Sequence, residues 1–468
     1  MRERRLRRHW SSCACVWVAT VVCVLSPAQV WAQAGTDRLT LNDAIQLALK
    51  NYPALKERRA RAQAAEEGVG VARTAYLPRL DLVWQENRAT TNNVFGLLFP
   101  QSIIPSISGP VLGTRSADSA WGSAGGVLLS WEAVDFGQRK ARVALARAQT
   151  SVAKAETSLT ELDVASAAAD AFLTVLAADE SVRAARANVD RLQIFANNVR
   201  TLTQNQLRPG ADQSRAEAEL AVSKNQLSQA VQINDLARAA LADAIGAAGT
   251  SPQLVLGALA ILPEVTTAPV NVKAHPAAQV GEARVEAVRA RGRELDRAYF
   301  PQITFQSAFA GRGTGAEAPG IPSYGNGLWP QVPNWAIGAS VTFPAFDLFS
   351  INWRKRVEVQ NELAESARYE RTIQTLTTQD AKARALLKAA TEIATNTPVE
   401  RDAVTAGESQ ARARYQNGLT SITEVAEAQR LLAQAEADDA VARLGVWRAL
   451  LAAAQARGDL TPFLEKTR

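Results

Sequence analysis

Tyr52-Pro53 is answered 223 positions later by His275-Pro276, and Ala75-Tyr76-Leu77-Pro78 by Ala298-Tyr299-Phe300-Pro301 at the same offset. Further on, Val134-Asp135-Phe136 returns as Phe346-Asp347-Leu348, 212 positions later, and Asp212 returns as Glu424 at that second offset. Two in-phase offsets mark a duplicated unit of roughly 200 residues. The offset falls by 11 between Pro301 and Asp347, which puts a longer insertion in the first copy. A chain built this way folds as two similar halves.

The first copy, 35–245, reads as a helix over 40–75, strands at 78–92 and 119–134, and long helices over 137–204 and 212–245. A linker follows at 246–276. The second copy, 277–456, repeats the order: a helix over 277–298, strands at 301–312 and 334–346, and long helices over 352–414 and 421–456. A tail, 457–468, closes the chain.

The strands are read from alternation. Leu80, Leu82 and Trp84 alternate with Arg79, Asp81 and Gln85. Trp121, Val127, Leu129 and Trp131 share one parity, and Gly122, Ala124, Gly126 and Ser130 the other. Ile303, Phe305 and Phe309 alternate with Gln302, Thr304 and Gln306, and Trp335, Ile337, Val341 and Phe343 with Asn334, Gly338, Ser340 and Thr342. Period two means one apolar face and one small or polar face, which suits a soluble sandwich or a membrane barrel. Runs of about ten residues with tryptophans in or beside them favour the barrel. Four strands cannot close one, since small bacterial barrels need about eight, so copies of the chain must share it. Strand count alone leaves two, three or four copies open. The Gly-, Pro-, Ser- and Asn-rich stretches at 93–118 and 313–333 read as long loops on one side of the strands, and the helices leave from the other.

The long helices are rich in alanine. Val425, Ala428, Leu432 and Ala435, and then Leu444, Trp447 and Leu451, follow the three–four spacing of a coiled-coil seam. At about 1.5 Å per residue the longest reach roughly 90–100 Å. Gly210 and Gly418 lie near the two hairpin turns.

A basic start (Arg2, Arg4, Arg5, Arg7, Arg8), an apolar run from Cys13 to Leu25 and Val30-Trp31-Ala32-Gln33-Ala34 read as a signal peptide over 1–34, with the mature chain starting at Gln33 or Gly35. The apolar run is short for a membrane anchor. Cys13, Cys15 and Cys23 all lie there, without a lipoprotein context, so the mature chain has no thiol for disulfides, metals or catalysis. Five arginines and one glutamate leave with it, which takes the formal charge from +6 to +2 and removes any charge argument for nucleic acid. No later segment is apolar for long enough to span as a helix. Neither a phosphate loop, a metal-ligand cluster nor a Ser/His/Asp set is visible, so no enzyme activity, cofactor or metal is expected. His275 reads as the repeat partner of Tyr52.

Leu41-Asn42-Asp43-Ala44, the two Tyr-x-Pro segments, Trp131 through Asp135-Phe136-Gly137-Gln138-Arg139, and Tyr415-Gln416-Asn417-Gly418 together resemble the TolC-like outer-membrane efflux family. The resemblance implies a mainly α fold: a homotrimer with a long α-helical barrel crossing the periplasm and a twelve-stranded β-barrel in outer-membrane lipid. It also implies a passive exit duct docked to a periplasmic adaptor and an inner-membrane pump, in efflux or type I secretion. Its closed mouth lies at the hairpin tips. There Tyr415, Asp212, Glu424 and Glu427 match gate and selectivity positions, and Gln206, Leu207, Gly418 and Leu419 match tip turns facing the adaptor. Two acidic rings of one helix face at Glu424 and Glu427 imply cation preference, with crowding raising some carboxyl pKa values. Thr420 stands where a basic residue is common, and Asn205-Gln206-Leu207 where a Gly-Leu pair is common, which implies a weakly latched mouth. The alternative is a periplasmic adaptor-like coiled-coil protein, which would need a lipoyl-like β segment between its helices.

Overall fold

The computed structural model describes residues 38–90, 99, 102–104, 117–264, 271–316, 325–343 and 345–467. The expected signal peptide lies outside them.

The chain opens on α1 (Leu41–Asn51), whose start is fixed by a capping box: Asp43 N–H donates to Thr40 Oγ1 at 3.2 Å and Thr40 N–H to Asp43 Oδ2 at 3.3 Å. The helix expected over 40–75 is two helices, because Pro53 forces Tyr52 into an extended conformation (φ −62°, ψ 123°) before α2 (Pro53–Thr74) begins. Its repeat equivalent does the same: His275 (φ −64°, ψ 135°) precedes the proline that starts α5 (Pro276–Arg297).

Two hairpins carry the long helices: α3 (Gln138–Gln204) with α4 (Gly210–Ala244), and α6 (Asp347–Gln416) with α7 (Ile422–Arg457). At 67 and 70 residues, α3 and α6 are about 100 Å long. Helix α4 starts at Gly210 and α6 at Asp347, earlier than the residues 212 and 352 read from the sequence. Helix α6 also carries Pro398 in its interior without ending there. A short α8 (Thr461–Lys466) ends the chain.

The main core lies where α1, α8 and the middle of α3 meet the ends of α4 and α7. It includes Ile45, Phe172, Leu173, Leu241, Val446, Trp447 and Phe463. The Trp447 indole N–H donates to the Ile261 carbonyl (3.1 Å) and the ring meets Phe463 edge-on. The inter-repeat segment is held here by a parallel bridge from Leu39 to Leu254. Glu156 on α3 accepts from Arg58 of α2 (3.0 Å) and Arg284 of α5 (2.6 Å), so one carboxylate ties both repeats' short helices to the same long one.

The four strands β1 (Arg79–Thr90), β2 (Ser119–Val134), β3 (Gln302–Thr314) and β4 (Val332–Thr342) form one antiparallel sheet in chain order. Strand β4 stops at Thr342, short of the 346 expected. Direct partners share a face. The row Leu82–Val127–Phe309–Trp335 lies on one face, and Val83–Gly126–Ala310–Asn334 on the other. The aromatic face is bare: Leu82 is 73%, Phe309 62% and Trp335 76% exposed. The Trp84 ring covers Gly125, where a Cβ would fall 2.7 Å from it, and also meets Trp329 at 5.2 Å.

The junction from β2 into α3 turns through two left-handed residues, Phe136 (φ 49°) and Gly137 (φ 93°). Asp135 holds that turn. It accepts from the backbone N–H of Gly137 (3.2 Å) and Arg139 (2.5 Å) and from Arg139 Nε (2.9 Å). Arg139 also stacks on the Tyr76 ring at 4.9 Å, and the Trp131 indole donates to the Tyr76 carbonyl.

Candidate functional site

Both long hairpins end in the same turn. After α3, Gln206 N–H donates to the Thr203 carbonyl (3.0 Å) and Leu207 N–H to Leu202 (2.9 Å). After α6, Gly418 N–H donates to Tyr415 (3.0 Å) and Leu419 N–H to Arg414 (2.8 Å). These paired bonds satisfy the last carbonyls of each helix and need a left-handed residue in the middle. Gly418 adopts φ 76° freely, whereas Gln206 adopts φ 58° with a side chain. Asn205 and Asn417, also 212 apart, each fold their amide back onto the last turn at 2.8 Å. Leu207 and Leu419 protrude from equivalent places, 68% and 69% exposed.

The two turns are joined. Tyr415, 1% exposed, packs in an apolar layer with Phe195, Val199, Leu220, Ile422 and Val425. Its hydroxyl donates to Asp212 Oδ2 at 2.9 Å. Burial first, and then the Asp212 hydrogen bond and charge, push the phenol pKa up to about 12, so it stays a donor through the neutral range.

Arg208, from the turn before α4, was not singled out in the sequence. Its guanidinium lies 4.4 Å over the Tyr415 ring and donates to the Tyr415 carbonyl. The charges match the helix ends: a cation at the C-terminus of α6 and Asp212 in the first turn of α4. The position two after Gly418 carries no cation, but one arrives from the other hairpin. The signal was a lone arginine beside the first tip's proline.

Glu424 and Glu427 lie in the first turns of α7. Glu424 accepts from Thr420 Oγ1 and sits 3.9 Å from Arg414. Glu427 is paired with Arg430 at 2.6 Å, and that hydrogen bond holds its carboxyl below the ordinary range. Within one chain the arginine one turn on sets this direction; crowding among carboxylates of neighbouring copies belongs to the assembled ring.

His275 is a cap. Its Nδ1 accepts from Ala277 N–H at 3.0 Å, and Nε2 lies 3.1 Å from the Gln455 carbonyl, which assigns the Nε2–H tautomer. Burial pushes its pKa down, consistent with a neutral ring. Among the described residues no group of His, Cys, Asp or Glu could hold a metal ion, and no helix is long and apolar enough to cross a membrane.

The family described as outer membrane efflux protein matches residues 44–247 and 272–459. The fold is similar to three channel structures. CusC aligns at 16% identity and TM-score 0.76 over 90% of this chain and 92% of its own. The Campylobacter jejuni CmeC outer membrane channel aligns at 16% identity and TM-score 0.73 over 92% and 89%. The open state of the Neisseria gonorrhoeae MtrE outer membrane channel aligns at 20% identity and TM-score 0.71 over 90% and 89%. No curated protein matches by sequence.

Proposed function

The chain belongs to the outer membrane efflux protein family, and on that premise we propose that it is the passive exit duct of a tripartite efflux or type I secretion system. It assembles as a homotrimer, sits in the outer membrane with its helices in the periplasm, and takes substrate from an adaptor and an inner-membrane pump. The observation that carries this reading is the sheet. Its aromatic face is exposed, and among the described residues β1 and β4 each pair on one side only. In lipid such edges must be closed by further strands. Three chains would give twelve.

The β4 edge continues into an apolar stripe on α6, with Phe346 89%, Phe349 73%, Trp353 64% and Val357 56% exposed. A neighbouring copy is the natural cover for edge and stripe together. An adaptor would instead need a compact β module between its helices; here the helices flank a long-stranded meander.

Native mass measurement of the full chain in detergent tests the assembly, with a trimer expected. A dimer or tetramer, or recovery of the protein in the soluble fraction of cells, sinks this reading.

The carboxylates at the tip give a second expected outcome. Rings of Glu favour cations in a pore. Glu427 shares its charge with Arg430, so Glu424 carries more of the preference. In planar bilayers Glu424→Ala should lower the cation-over-anion permeability ratio more than Glu427→Ala, and Arg430→Ala should raise it. An unchanged ratio in the E424A/E427A chain places both side chains off the conduction path.

A further inference from the structure

On β1 the small-residue face is not bare like the aromatic one. Along β1 the two faces differ residue by residue: Leu80, Leu82 and Trp84 are exposed, while Asp81, Val83 and Gln85 are half-buried and Asn87 is buried. Part of the cover, over Val83, comes from residues 103 and 104 between β1 and β2. Ile104 is 6% exposed and packs in one cluster with Ala124 (0%), Ala310 (8%), Val83 and Ile103. Register puts all three sheet residues on one face, because Val83, Gly126 and Ala310 are direct partners and Ala124 stands one row further out beside Gln85 and Arg312. The loop's isoleucines therefore lie against the face opposite Trp84, Phe309 and Trp335.

In the closed barrel proposed above, on which this inference rests, the aromatic face meets lipid and the small-residue face lines the lumen. An apolar pair is out of place in a water-filled lumen unless it is packed. Ala124, Gly126 and Ala310 supply the shallow floor for that packing, since at Gly126 a Cβ would already lie 2.9 Å from that of Ala310.

We propose that Ile103 and Ile104 form an apolar plug inside the outward mouth of the barrel, and that this plug sets the size and polarity of what passes there. Three copies would narrow the opening with hydrophobic surface, the kind of constriction that gates by excluding water. The β3–β4 loop does the opposite: Trp329 folds onto Trp84 on the aromatic face. Ile104 and Trp329, one from each loop of the duplicated unit, thus pack on opposite faces of the sheet.

The test uses the absence of cysteine from residues 38–467. Ala308 lies on the small-residue face, one row closer to the helices than Ala310. Ala308→Cys is placed in the full chain, with either the native loop or Ile103→Ser and Ile104→Ser. Intact cells are then treated with a small membrane-impermeant maleimide or with one carrying a bulky polyethylene glycol. With the serine loop both reagents should label Cys, and the bulky one roughly tenfold or more faster than with the native loop, as a local opening equilibrium shifts when one buried and one half-buried side chain lose their packing. Equal bulky labelling with either loop overturns the plug. If the small maleimide fails to label the serine-loop chain, the lumenal face itself is misassigned and the barrel reading falls. In a second pair, Ile104→Cys with Ala310→Cys, oxidation should form an intrachain disulfide, read on the denatured protein as loss of both thiols to maleimide and their return on reduction. Failure of this pair to cross-link also overturns the proposal.

Discussion

Asp135→Ala is expected to destabilise the protein by about 3–5 kcal/mol, the cost of removing one partner from a buried ion pair. Asp135 is 9% and Arg139 6% exposed, and the carboxylate closes the junction between β2 and α3 through three hydrogen bonds. Its loss strands the Arg139 guanidinium beneath Tyr76 with only a long bond to the Ala133 carbonyl (3.4 Å). The measurement is the temperature at which the detergent-solubilised oligomer comes apart. A drop of only a degree or two for D135A would falsify the assignment of Asp135 as the keystone of this turn. Asp135→Asn, which keeps an acceptor but no charge, should fall between.

Acid should act at the same place. Burial alone would raise the Asp135 pKa, but the Arg139 side-chain and backbone hydrogen bonds, the Gly137 N–H and the Arg139 charge hold it below the usual value. A depressed folded pKa means that the contribution is fully present above the ordinary carboxylate range. It is lost as pH falls through that range to the lower folded value. Melting temperature should therefore fall with acid in the native chain, and less steeply in D135N.

The second large effect is at the tips. Tyr415→Phe removes the hydroxyl that Asp212 accepts from, and Arg208→Ala removes both the ring stack and the donor to the Tyr415 carbonyl. A hydrogen bond to a charged group is worth about 1.5–3 kcal/mol, and a partly desolvated cation–π contact about 1–2 kcal/mol. If these contacts hold the mouth closed, each variant should shift the closed–open balance by roughly tenfold or more, at about 1.4 kcal/mol per decade. Single-channel recording reads this as a higher open fraction and a larger conductance. Because both side chains meet on one ring, the R208A/Y415F pair should show less than the sum of the two single effects. Native behaviour in that pair would mean that the hairpins are held together elsewhere, as by the bidentate Arg191–Glu436 bridge between α3 and α7.

Much of the architecture was legible because it rests on periodicity. Period-two alternation located all four strands, and of the seam residues, Val425, Leu432, Ala435, Leu444, Trp447 and Leu451 are buried while Ala428 is half-buried. What periodicity could not carry went astray at the ends. The Tyr52–Pro53 break was visible in the residues but outweighed by helical patterning on both sides, and β4 and α6 meet earlier than alternation suggested. Pairings between distant turns left no such trace. Arg208 meets Tyr415 across 207 positions, and Ile104 meets Ala310 across a strand from the other repeat. Tyr415 and Asp212 were legible only through the family resemblance. Arg430, which neutralises Glu427, was in plain view one turn away but looked like ordinary helix surface.

The contact between Arg208, Asp212 and Tyr415 joins two unlike turns. If the proposed trimer holds, a half-length ancestor assembling six identical units could build the same sheet, since β2 pairs with β3 antiparallel as β1 does with β2. It could not build this contact without carrying the donor and the acceptors in every turn, where half would face their own kind. Fusing two copies into one gene lets alternate turns specialise. One carries glycine and a tyrosine; the other carries Gln206 at the left-handed position, an arginine and an aspartate. Selection can then tune the two sides separately, so substitutions in one turn should be answered by substitutions in the other rather than in its sequence twin.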